Sequence, residues 1–292
     1  MISHPGAPRG SGQTPLSGEM QKPGVSRSAG PRGRIGGGRV WGRPRPDAST
    51  RLEAPEAPSA RHAAAEALAL AAVAARCLGR DLDEDTPRPL PADAGPVERA
   101  MADRLLAAAG VDDAPLVVLQ PGAGSPLKAW PAERLAAVGA ALAHDLGARV
   151  AVSGSGAERV LAQQVCDALP GGAINLAGAL QWTELEALLA RSLLVVGVDS
   201  GPLHLAVAAS TPSVALFGPA DPVQFGPWGD AARHRVVTAD LPCRPCRRLD
   251  WCALEPEGVG PPPCMRAITA EAVVTAARSA LMEGKHGPAT TD

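Results

Sequence analysis

The chain has no tyrosine and only two phenylalanines, and aromatic residues make up 2% of its 292 positions. Lysine is also rare, while Ala, Gly, Pro and Arg are abundant. That bias fits a GC-rich coding sequence and carries no functional signal by itself. No run of about 18 uninterrupted apolar residues occurs, so no membrane-spanning helix is expected. The Ala-rich run from His62 to Cys77 is too short for one and contains Glu66. The N-terminus lacks the compact apolar core of a secretion signal, so a cytoplasmic protein is the expectation. Neither charge sign dominates: 28 basic against 30 acidic residues leave a net charge of −2. There is thus no global pull toward nucleic acid, and no nucleic-acid partner is expected. What the chain does have is 46% hydrophobic residues, enough for a sizeable core in one or two domains.

Residues 1–60 hold 11 glycines and 9 prolines and carry a charge of +5. Neither helical nor strand periodicity survives there. Such a segment buries too little apolar surface to offset its ordering entropy, so it reads as a disordered Gly/Pro/Arg-rich extension. Residues 62–79 and 96–109 read as helices, joined by a Pro- and Asp-rich linker. From there strand and helix patterns alternate. Strands are expected at 116–120, 149–153, 173–176, 193–197, 213–217 and 234–238. Helices are expected at 131–144, 156–168, 183–191, 202–209 and 269–282. Short connections between alternating elements predict an α/β fold, a Rossmann-like doubly wound parallel sheet covered on both faces. Ligands then bind outside the carboxyl ends of the strands.

The segment from Val195 to Ala206 carries the most information. An apolar run ends in Asp199-Ser200-Gly201-Pro202, which reads as a helix start with Ser200 as N-cap and Pro202 in the first turn. Backbone N–H groups at such a turn suit a phosphate, and Asp199 and His204 would flank it. A Ser-His-Asp triad is not a good reading, because all three residues lie within one turn and the nucleophile-elbow pattern is missing. Upstream, Gln120-Pro121-Gly122-Ala123-Gly124-Ser125 follows another apolar run. Its small residues admit close backbone approach, and Lys128 would bring a point charge suited to a diphosphate. A third loop, Ser153-Gly154-Ser155-Gly156, precedes Glu158 and lacks the last glycine of a dinucleotide fingerprint. Glu158 suits either a ribose diol or the positive end of a helix. Asp221, in a Pro-rich turn, either meets ligand or caps the turn.

Cys243, Cys246, Cys252 and Cys264 fall in a Pro- and Arg-rich loop spanning 241–266. Their spacing is compatible with a structural zinc site and less so with an iron–sulfur cluster; free thiols or disulfides are the other readings. Cys77 and Cys166 read as isolated buried thiols.

In order and spacing, three blocks resemble glycosyltransferase family 9, the ADP-heptose:lipopolysaccharide heptosyltransferases. They are Pro121 to Ser125 with Lys128, Trp130 and Pro131; Asp199 to His204; and Leu216 to Pro222. The resemblance covers roughly 62–282. It implies a GT-B enzyme in which 113–292 is the C-terminal, nucleotide-sugar-binding domain, while 61–112 holds remnant helices of an N-terminal domain that is otherwise missing. It implies catalytic roles for Lys128, Asp199 and His204. It implies donor contacts from Gly122, Ser125, Lys128, Glu158, Asp199, Ser200, Gly201 and His204. The donor would be an ADP-sugar, with no obligatory metal for transfer. The acceptor would be a lipid-linked glycan at the inner membrane face, which makes peripheral membrane association an expectation. The family's catalytic base lies in the N-terminal half, so a partner supplying that half is one expectation. A non-catalytic nucleotide-sugar-binding module and a metal-stabilised scaffold are the alternatives.

Overall fold

A computed structural model describes residues 62–78, 94–111, 114–255, 258 and 260–283. The extension expected at 1–60 and most of the linker after Leu78 lie outside the described residues. Strands β1 (Leu116–Gln120), β2 (Arg149–Val152), β3 (Ile174–Asn175), β4 (Leu194–Val198), β5 (Ser213–Phe217) and β6 (His234–Thr238) form one sheet in the order β3-β2-β1-β4-β5-β6. Every pairing is parallel. The helices are α1 (Ala63–Cys77), α2 (Pro96–Ala108), α3 (Ala132–Leu146), α4 (Arg159–Ala168), α5 (Trp182–Arg191), α6 (Gly201–Ala208), α7 (Pro222–Phe225), α8 (Pro263–Arg266) and α9 (Ala270–Glu283). The doubly wound sheet expected from the alternation is therefore present. The expected helix at 156–168 divides into a 3-10 turn at Gly156–Glu158 and α4.

Burial on both faces explains why the strands read as unbroken apolar runs. All five residues of β1, β4 and β5 are buried. On one face Val117, Leu119, Val196 and Leu216 pack with residues of α3, α4 and α9. On the other, Leu116, Val118, Val195 and Phe217 pack with residues of α2, α5 and α6. Trp130 is buried in the first layer and donates its indole N–H to the Ile268 carbonyl at 3.3 Å. Helix α2 contributes Ala102 and Leu106 to the second layer, so it is part of the sheet's cover. Cys166 is buried as expected, but Cys77 is exposed. It lies in the last turn of α1, whose buried residues are Ala72 and Ala75. No described helix is long and apolar enough to cross a membrane.

One buried base ties this fold to pH. His234, at the start of β6, shares a 3.0 Å hydrogen bond through Nδ1 with the Ser213 hydroxyl of β5. Burial, assisted by Arg233, pushes its pKa down from 6.5 to about 4. A base depressed on folding contributes stability that is complete above its unfolded pKa and is lost as pH falls toward the folded one. Between pH 6.5 and 4 the protein should therefore lose on the order of 3 kcal/mol through this group. Urea midpoints at pH 7.5 and 5 check it. The wild type should lose markedly more stability on acidification than His234→Asn; equal losses would remove His234 as the cause.

Candidate functional site: a two-part crevice at the switch point of the sheet

With β1 and β4 adjacent in the middle of the sheet, the chain leaves them toward opposite faces, which opens a crevice at their carboxyl ends. Two loops line it. The first follows β1. Gln120 is buried, and its side-chain oxygen accepts a 2.6 Å hydrogen bond from the Ser153 hydroxyl. The loop then closes in a 3-10 turn, Pro126–Lys128. Ser125 caps this turn by accepting from the Leu127 N–H at 3.2 Å, and its own hydroxyl donates to the Leu249 carbonyl at 2.6 Å. Ser125 lines neither part of the crevice. Ser125 thus has an anchoring task, its one O–H donor being spent on the Leu249 carbonyl.

The second loop follows β4. Asp199 is 5% exposed, and its N–H donates to the Leu216 carbonyl at 3.1 Å. Lys128 reaches across so that Nζ stands 2.7 Å from Asp199 Oδ2. Helix α6 starts at once, with Pro202 in its first turn and Ser200 at the N-cap position. The Ser200 hydroxyl does not cap the helix, contrary to expectation. It is buried without a hydrogen-bond partner among the described residues. The first N–H groups of a helix have no intrahelical acceptor, so this end is electropositive. His204, one turn on, places Nε2 4.0 Å from Asp199 Oδ1. Burial lowers the His204 pKa; Asp199 opposes the shift, while His62 and Lys128 add to it. The shift favours the uncharged imidazole, which can donate one hydrogen bond while accepting another.

The crevice has two compartments. Lys128, Asp199, Ser200, Gly201, His204 and Arg247 line one. Gly122, Gly154, Ser155, Glu158, Gly178 and Trp182 line the other, which shares Ser200 and Gly201 with the first. Glu158 takes the helix-start role. Its Oε2 accepts from the Ser155 N–H at 2.6 Å, as a helix-start carboxylate does, and it faces the second compartment. The carboxylate lies against Gly122, where an added Cβ would stand 1.8 Å from Oε1, so a larger residue there would displace the Glu158 carboxylate. Asp221 is a cap: its Oδ1 accepts from the Val223 N–H at 2.9 Å.

The four loop cysteines line a common cavity with Arg244 and Trp251. All are free thiols, with Cys264 buried. Burial raises the Cys264 pKa, Arg244 opposes it, and Cys246 and Cys252 add to it. Among the described residues no three His, Cys, Asp or Glu side chains are arranged to hold a metal ion.

Sequence reasoning passed over Arg247 and Trp182. Trp182 begins α5 with 64% of its surface exposed, and its ring would stand 3.1 Å from a Cβ at Gly201. An exposed ring at a crevice is recognisable only once the crevice is known. Nothing local marks Arg247 among the other arginines of its loop.

The sheet order and the crevice at its middle define an α/β protein with the Rossmann-like fold seen in GT-B glycosyltransferases. A model of glycosyltransferase family 9 (heptosyltransferase) matches residues 52–253, and the chain belongs to that family. It is 37% identical to lipopolysaccharide heptosyltransferase 3 of Escherichia coli over 119 residues, 39% of this chain and 34% of that protein. It is 34% identical to lipooligosaccharide heptosyltransferase 2 of Haemophilus influenzae over 133 residues, 44% of this chain and 38% of that protein. The match to these curated relatives thus spans little more than a third of their length. Among solved structures, a family 9 glycosyl transferase from Veillonella parvula superposes with a TM-score of 0.63 at 27% identity, covering 77% of this chain and 61% of that one. The E. coli ADP-heptose heptosyltransferase II structure shares the fold, with a TM-score of 0.56 at 24% identity over 69% of this chain and 57% of that one.

Proposed function

We propose that this chain binds a nucleoside-diphosphate sugar across the two compartments and serves in glycosyl transfer of the heptosyltransferase type. The observation that carries the reading is the meeting of Lys128 with the N-terminus of α6 in one pocket. A diphosphate placed there would receive the backbone N–H groups at Ser200 and Gly201, with the Lys128 ammonium beside it. The nucleoside would lie in the neighbouring compartment, its ribose diol within reach of the Glu158 carboxylate and its base near the exposed Trp182 ring. The sugar would project toward Asp199 and His204.

In transfer, a base supplied by an N-terminal half takes the proton of an acceptor hydroxyl, its oxygen attacks the anomeric carbon, the glycosidic bond to the diphosphate breaks, and negative charge accumulates on the departing phosphate. Lys128 and the helix N-terminus are placed to stabilise that charge as it develops. Asp199 holds the Lys128 ammonium in position, and neutral His204 offers a hydrogen bond without adding a second fixed charge beside it. The acceptor in this reading is a lipid-linked glycan of the lipopolysaccharide type, and the heptose is carried as the ADP-sugar. The names of the relatives support both assignments.

Calorimetric titration with ADP tests the reading: saturable binding at one site per chain is expected, and a folded protein that takes up no ADP overturns it. A structural zinc ion on the cysteine loop is a separable part of the proposal. The shared cavity of the four thiols favours it, the lack of a metal-ready trio among the described residues counts against it, and zinc analysis of the purified protein with Cys243→Ser as control decides it.

A further inference from the structure

The loop that bears the cysteines also folds back over the edge of the crevice. Arg244 fastens it, donating through Nε to the Gly218 carbonyl and through a terminal nitrogen to the Ala239 carbonyl, each at 2.7 Å. The Ser125 hydroxyl fastens it from the other side by donating to the Leu249 carbonyl at 2.6 Å. The loop carrying Arg247 and the turn carrying Lys128 are thereby tied to each other. Arg247 itself has φ +58, a left-handed conformation that non-glycine residues seldom adopt. Its N–H donates to the Pro219 carbonyl at 2.8 Å, which holds the turn in that conformation. The side chain then lines the same compartment as Lys128, Asp199, Ser200 and His204.

The charges in this compartment repeat one arrangement twice. Asp199 follows β4 and Asp221 follows β5, the adjacent strand, and each aspartate is buried. Each pairs with a cation delivered by another loop: Lys128 Nζ to Asp199 at 2.7 Å, and a terminal nitrogen of Arg247 to Asp221 Oδ2 at 2.6 Å. Asp221 is doubly fixed, since its other oxygen caps α7. A guanidinium has five N–H donors in a rigid fork, so the bond to Asp221 orients the group without exhausting it. The Arg247 side chain stays 48% exposed, on the compartment side.

We propose that Arg247 is a second cationic ligand of the donor's diphosphate, opposite Lys128, with Asp221 as the residue that positions its guanidinium. This rests on the donor-binding reading above and adds the cysteine loop to the donor site. A fork on one side and a point charge on the other suit two adjacent phosphates better than one. The preference for a diphosphate over a monophosphate should therefore depend on Arg247.

The test is titration of the full chain with ADP, AMP and adenosine, using the wild type, Arg247→Ala and Arg247→Lys, with melting temperature measured in parallel. Arg247→Ala should weaken ADP about tenfold or more, weaken AMP far less and leave adenosine unchanged, so that the ADP-over-AMP preference collapses. Arg247→Lys keeps the charge that Asp221 requires but loses the fork, and should keep part of the preference. If Arg247→Ala does not fold, the lysine variant decides alone: a preference equal to the wild type's overturns the proposal. A variant that melts earlier yet keeps the wild-type ADP-to-AMP ratio shows a purely structural arginine and also overturns it. A folded wild type that binds none of the three sinks the donor-binding reading as well, so the two failures are distinguishable.

Discussion

Lys128→Ala should reduce ADP affinity by about 10- to 100-fold, the worth of a hydrogen bond to a charged group. Its effect on sugar transfer should be larger still, about 10²–10³-fold, because charge on the departing phosphate grows as the bond breaks and electrostatic stabilisation counts most at that point. The substitution also acts on the free protein. Lys128 is 18% exposed and its partner Asp199 5%, so removing the ammonium leaves a buried carboxylate without its counter-charge. Breaking a fully buried pair costs ~3–5 kcal/mol, and the residual solvent contact of Lys128 places the loss toward the lower end. A thermal melt alongside the titration separates the two effects. Pairing Lys128→Ala with Asp199→Asn relieves the orphaned carboxylate, so the double variant should recover stability while ADP affinity stays low. Unchanged ADP binding by folded Lys128→Ala would refute the phosphate assignment.

A methyl group at Gly197 is the second large effect. Gly197 lies in β4 opposite Gln120 of β1, at the end of the strand pair that supports the crevice. An added Cβ would stand 2.4 Å from the Gln120 carbonyl oxygen and 2.6 Å from its Cβ. The first of these is backbone in a central strand, so the strands themselves must part. Overpacking of this kind costs roughly 2–3 kcal/mol, which for a domain of this size is about 5–10 °C of melting temperature. Lys128 hangs from the loop after β1, and Asp199 follows β4 two positions beyond Gly197. Parting the strands pulls the ion pair open, so Gly197→Ala should lose ADP affinity as well as stability. A variant that melts and binds like the wild type would show that the two strands are not packed this closely.

Fold class and strand positions were legible in the chain because they follow from local properties. A short unbroken apolar run, as in the four residues Leu116 to Leu119, marks a strand covered on both faces, and Pro202 after Gly201 marks a helix start. Much of the candidate site was legible for the same reason. Lys128 and the Asp199–His204 turn each follow an apolar run, and any doubly wound sheet gathers such loops at one edge. Single-residue readings were where contact with the fold mattered most, as at Cys77, which is exposed rather than buried. Ser125 is taken up by Leu127 and Leu249, a partner more than a hundred residues away in sequence. Ser200 holds the N-cap position without bonding as a cap.

The sequence by itself determined the strands, the longer helices, the parallel sheet and the two turns that supply a lysine and a helix N-terminus. All of these depend on neighbours a few residues apart. Only the tertiary structure decided that Lys128 faces Asp199, that Trp182 covers Gly201, and that a cysteine-bearing loop returns to set Arg247 against Asp221. A side chain's charge partner is set by which distant loops pack over the same edge, and hydrophobic period and turn chemistry carry no record of that.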